Sequence, residues 1–144
     1  MRNRIRAGMM GLWAGAFVLA GCIAPTSAAP SAEESRVYFS NIEDGATITT
    51  PTTVTMASEN FVIVPAGEPK AGEGHLHIMV DVPCVADGEV IVKDDTHMHY
   101  GQGQLEADLT LTPGEHTLCL QAADGAHLAL PGDGMRQQIT VTVQ

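Results

Sequence analysis

Gly74-His75-Leu76-His77-Ile78-Met79-Val80-Asp81 is the stretch on which the fold turns. Side chains alternate along an extended strand, so Leu76, Ile78 and Val80 share one face while His75, His77 and Met79 share the other. An apolar face of this kind belongs to a sheet lying on a core. The phrase is echoed in His97-Met98-His99-Tyr100-Gly101-Gln102-Gly103-Gln104, where His97 and His99 again share a face. If the two strands are neighbours, four imidazoles occupy a patch of roughly 7 by 5 Å, small enough to close over one ion.

Outward from this pair, strand signals recur with turns between them, and helix signals are nearly absent. Residues 36–42 read as a first strand, followed by the turn Asp44-Gly45. In 53–58, Val54 and Met56 point one way and Thr53 and Thr55 the other. The short apolar run 61–64 reads as a continuation of that strand after a bulge. Residues 65–74 carry prolines, glycines and charges and read as a loop. Residues 90–92 suggest a short edge strand. In 105–111, Leu105, Ala107, Leu109 and Leu111 alternate with Glu106, Asp108 and Thr110, a half-buried strand. Pro113-Gly114 turns the chain into a strand over 116–121. Residues 122–134 read as a loop, and 137–143 alternate again with Ile139, Val141 and Val143 inward. About seven short strands at this spacing predict an all-β fold, an antiparallel immunoglobulin-like β-sandwich, with a jelly roll or small barrel as competitor.

The N-terminus reads as processing information. Arg2, Arg4 and Arg6 precede an uncharged, mostly apolar run over 7–21 that ends in Leu19-Ala20-Gly21-Cys22. The run is short for a membrane span and suits a secretory signal. Leu-Ala-Gly-Cys is similar to the bacterial lipoprotein cleavage box, which implies a signal peptide over 1–21 and lipidation of Cys22. An ordinary signal peptide cut near Ala28 or Ala29 is the alternative. Residues 22–35 then form a flexible tether, and 36–144 a single domain large enough for one core. The expected location is the cell envelope, outside the cytoplasm, with the membrane as partner through the lipid on Cys22. Loss of residues 1–21 leaves Arg36, Lys70, Lys93 and Arg136 against 17 acidic residues, a formal charge of −13. That balance argues against nucleic acid as a partner. Cys84 and Cys119 remain for a disulfide, the usual outcome beyond the cytoplasmic membrane, or stay as two buried thiols. Strand parity counts against pairing, since Cys84 follows the inward face of its strand while Cys119 alternates with Leu118 and Leu120, although Pro83 could reset the parity.

Gly-His-x-His-x-x-x-Asp over 74–81, His-x-His-Tyr-Gly-x-Gly-Gln over 97–104, Leu-x-Pro-Gly-x-His-Thr-Leu over 111–118, and Asp124 with His127 together resemble the bacterial domain-of-unknown-function family 4399, across about residues 40–143. Leu76 stands where members often carry a further histidine, and Ala129-Leu130-Pro131 replaces another histidine and prolines. The resemblance implies secretion or envelope attachment and brings no activity with it.

Function is therefore argued from the residues. His75, His77, His97 and His99 are the candidate metal ligands, with His127 and His116 as further candidates. An all-imidazole set suits copper or zinc. His77 and His99 are expected nearest the ion. Met79 lies next on the same face, and Asp81 beyond it could fix an imidazole tautomer. The structural alternative has the histidines hydrogen-bonded to backbone carbonyls and to the amides of Gln102 and Gln104. A plain immunoglobulin-like interaction module is the second class of function, its protein partner unknown. Catalysis is a third: a metal-dependent redox enzyme. No Ser/His/Asp set with a nucleophile elbow is present, and no Glu adjoins the His pairs as a hydrolytic base.

Overall fold

The computed structural model describes residues 34–144. The expected signal peptide, Cys22 and most of the tether lie outside the described residues. Those described form nine strands: β1 (Arg36–Phe39), β2 (Ala46–Ile48), β3 (Thr52–Glu59), β4 (Val62–Ile63), β5 (Glu73–Val80), β6 (His97–Tyr100), β7 (Glu106–Leu109), β8 (Gly114–Ala123) and β9 (Arg136–Val143), with one 3-10 turn at Asp133–Met135. The fold is all-β in two sheets. One has the order β1-β3-β7; the other runs β2-β9-β8-β5-β4, with β6 also paired to β5.

The apolar faces of the alternating strands meet between the sheets. Val37, Phe39, Val54, Met56, Ala107 and Leu109 come from the smaller sheet. Leu76, Ile78, Leu118, Leu120, Ile139 and Val141 come from the larger, and all twelve belong to one buried cluster. This is the two-layer arrangement that burying one face of each sheet requires. Two short edge pairings are parallel, β2 with β9 and β4 with β5, within an otherwise antiparallel pattern. The apolar run at 61–64 does not extend β3. Asn60 adopts φ 52°, the chain turns there, and β4 joins the larger sheet. Residues 90–92 form no strand; Val90 makes a single isolated bridge to Leu128. Leu105 lies before β7 and is exposed, not inward, and β8 runs on through Ala123 instead of ending at 121.

A second apolar layer covers the far side of the larger sheet. Met79, Cys119 and Ala123 project there from β5 and β8, and Ile91, Ala129, Val82, Cys84 and Val85 pack on them. The cause is at the end of β5. Asp81 takes φ 59°, so the chain leaves the strand and folds back over the outer face. Strand parity therefore does not extend to Cys84, which lands opposite Cys119 and is bonded to it. Gln121, buried on the same face, accepts from the Val85 amide at 2.9 Å and donates to the Val85 carbonyl at 2.8 Å. The connection between β5 and β6 is thereby held against the sheet at two neighbouring points.

Candidate metal centre

The outer layer ends in histidine. His75 and His77 leave β5 on its outer face and are fully buried. His99 stands directly across from His77 in the β5–β6 register. The register also sets Met79 opposite His97, so the two His-x-His pairs overlap by one member instead of lying side by side. Continued one step, it brings His75 level with Gly101. A Cβ at Gly101 would collide with the His99 ring; the glycine leaves the room that this imidazole occupies.

The place left by His97 is taken by His127, from the loop between β8 and β9. The four rings, His75, His77, His99 and His127, have centroids 4.8–5.9 Å apart in every pairing. The Nε2 atoms of His75 and His77 are 3.0 Å apart, and those of His99 and His127 3.1 Å. Each of His75, His77 and His99 offers a ring nitrogen within 4.8 Å of the others. Nitrogens bound to one zinc or copper ion at 2.0–2.1 Å are separated by about 3–4 Å, so the two short contacts match the spacing of bound ligands.

The electrostatics favour the neutral form of His75, His77 and His99. Burial pushes His75 down to about 4, helped by the charges of His127 and His99. Burial, followed by repulsion from His75 and the other rings, pushes His77 down to about 3. His99 is lowered as well, by burial first and by His127 second. A neutral imidazole keeps a lone pair for a metal at neutral pH. The Nδ1 atoms of His75 and His77 are buried without a hydrogen-bond partner, an arrangement that costs about 1–3 kcal/mol for each unsatisfied group. The donor set thus fits a transition ion.

The remaining sequence candidates lie elsewhere. His97 turns toward its own loop, with Nδ1 2.9 Å from Asp94 Oδ1 and 3.0 Å from Thr96 Oγ1. The His97 hydrogen bond, followed by those from Thr96, holds Asp94 well below the usual carboxylate range. Asp81 fixes His116 and no ring of the cluster: its Oδ2 lies 2.7 Å from His116 Nδ1, and its Oδ1 accepts from the Thr117 amide at 3.0 Å. His116 Nε2 contacts the Thr112 carbonyl at 2.8 Å. Met79 packs in the outer apolar layer with Ile91 and Cys119. Gln104 accepts from the Gln102 amide instead of meeting an imidazole.

Two residues of the motifs, Gly101 and Asp124, carry roles that the sequence does not assign. Glycine at 101 suggests a bend, whereas its role is steric space. Asp124 carries no metal-ligand spacing, yet its carboxylate accepts from the amides of Ala126 and Leu128 at 2.8 and 2.9 Å and shapes the loop that bears His127. An Asp-Gly-x-His stretch after a strand is the signal that could have found it.

A family model described as "Domain of unknown function (DUF4399)" matches residues 54–144, which include every strand of the site. The chain belongs to this family. Comparison with curated proteins and with solved structures finds no match. The DUF4399 domain of this chain therefore carries a histidine cluster of metal-binding dimensions on the outer face of its larger sheet.

Proposed function

We propose that this protein binds one copper or zinc ion through His75, His77 and His99, with His127 as fourth ligand, and that it handles or senses the metal instead of performing catalysis. The observation that carries this reading is the convergence of four imidazoles, with paired Nε2 atoms 3.0 and 3.1 Å apart. Bound there, the ion would act as a Lewis-acidic centre ringed by nitrogen. Two ligands are deeply buried and two half-exposed, so the site is anchored on β5 and open toward solvent at His99 and His127. The Arg-rich, apolar start ending at Cys22 supports placing the domain outside the cytoplasm on a lipid anchor, where metal reaches it from the envelope.

The test is metal analysis of the full chain purified without a polyhistidine tag. One copper or zinc per chain is expected, and the His77→Ala, His99→Ala double variant should lose it. Unchanged uptake in that variant overturns the assignment.

A second reading has one observation in its favour. Each short Nε2 pair can also be a single N–H···N hydrogen bond, so the rings can partly satisfy one another in an interaction module with structural histidines. That module predicts no rise in melting temperature on adding metal, whereas a site that binds only the folded chain predicts a concentration-dependent rise.

A further inference from the structure

We propose that the Cys84–Cys119 disulfide sets the metal affinity of the cluster by holding His127 in place. The inference rests on the metal-binding reading above and adds its regulation.

His127 is half-exposed and has φ 69°. A non-glycine residue keeps that conformation where its surroundings hold it there. Asp124 supplies part of the hold through its two loop amides. Backbone bonds within the loop, to the end of β8 and from Gly67 to Gly125 add to it, and a further part comes from the connection between β5 and β6. The Ile91 amide donates to the His127 carbonyl at 2.8 Å, the Ala129 amide donates to Glu89 O at 2.9 Å, and the Gly88 amide donates to Ala129 O at 2.9 Å. The loop bearing the fourth ligand is therefore laced to residues 88–91 at His127 and just after it, at Ala129.

Residues 88–91 belong to no strand. Their segment is tied to the sheet by the bond from Cys84 to Cys119, the two hydrogen bonds of Gln121 to Val85, the ion pair of Asp87 with Arg136 of β9, and the burial of Ile91 beside Met79 and Cys119. The disulfide is the covalent member of this set. His75, His77 and His99 come from β5 and β6, which pair directly, and do not depend on the segment for their placement. Breaking the bond should thus loosen one ligand of four. Reduction by a dithiol does this: two electrons and two protons convert the disulfide to the thiols of Cys84 and Cys119, while the dithiol closes its own disulfide. Cys84 borders a cavity of about 490 Å³ with Pro83, Arg136 and Gln138, open to such a reagent.

The experiment is a zinc titration against a chromophoric chelator, using the full chain with Cys22→Ser so that no third thiol competes. The Cys84→Ala, Cys119→Ala variant should bind at least tenfold more weakly, His127→Ala should show the same loss, and combining the two should add less than twofold. Unchanged affinity without the disulfide, or losses that add in full, overturns the proposal. If the parent takes up no metal, the metal-binding reading fails first; if parent and disulfide-free variant bind equally, only this inference fails. A second measurement removes dependence on the variant folding. In the dithiol-treated parent, hydrogen exchange at the Ile91 and Ala129 amides should accelerate at least tenfold while that of Leu118 and Leu120 in β8 stays slow. Equal acceleration in β8 would mean the disulfide holds the whole fold, and the proposal would fall.

Discussion

Gly101 shows how much of the site is decided by absent atoms. A methyl group at this position would meet the His99 ring, the free end of a side chain and not backbone. The ring can rotate away, so Gly101→Ala should change the stability of the metal-free protein by less than about 1 kcal/mol. It should nonetheless weaken metal binding about tenfold or more, because the displaced ligand is the one facing His77. Denaturant unfolding beside a metal titration checks both halves, and a variant binding like the parent would show that His99 is not a ligand. The buried rings also give the metal-free protein a characteristic acid response. In the unfolded chain an imidazole takes a proton near pH 6.5, whereas the folded chain holds His75 at about 4 and His77 at about 3. Between those values the unfolded state binds more protons, so stability falls as pH drops from about 6.5 toward 4, and the His77 contribution continues toward 3. A His75→Gln, His77→Gln chain should lose that slope. An equally steep fall in the variant would assign it to the carboxylates instead.

At the scale of elements, the break after β5 does two things at once. Asp81 turns the chain at φ 59° and uses its carboxylate to hold His116 and the Thr117 amide of β8. The pair has a defined pH window. Hydrogen bonding to Asp81 raises His116, so that contribution is present below about 6.5 and is lost as pH climbs through the raised value. The bonds from His116 and Thr117 outweigh burial and lower Asp81, so its contribution is present above about 3.9 and lost as pH falls through the lowered value. Asp81→Asn tolerates the same backbone. It should cost up to about 1 kcal/mol near pH 5.5, since the carboxylate is half-exposed, and less at pH 8.5, as unfolding curves at the two pH values would show. A cost that grows with pH would contradict the pairing. This break also marks where sequence reading stops. Alternation alone reveals β3, β5, β7 and β9 and which faces enter the core, because period two is a local property. Register is not local: sliding β6 by two residues keeps every side chain on its face, which is why the sequence alone admits His97 to the ligand set beside His99. A left-handed residue that reverses the chain over the outer face is equally invisible to periodicity, and it brought Cys84 to Cys119 against strand parity.

For the molecule as a whole, the two apolar layers differ in what they support. The main core is built from both sheets, and Leu120 sits within it, fully buried. Truncating such a residue removes contacts from two layers at once, so Leu120→Ala should lower global stability by about 2–5 kcal/mol. Ile91 is also buried, yet its neighbours are the outer layer alone: Met79, Cys119, Ala123 and Ala129. It lies on a segment without strand structure that can open while the sandwich stays closed. Ile91→Ala should therefore cost clearly less in global unfolding than Leu120→Ala, while weakening metal binding more, because the Ile91 amide is bonded to the His127 carbonyl. Denaturant titration of both variants, each paired with a metal titration, separates the layers. Should Ile91→Ala cost as much as Leu120→Ala and leave metal binding intact, the outer layer would be part of the one cooperative fold, and the division between a rigid sandwich and an adjustable metal-binding face would not hold.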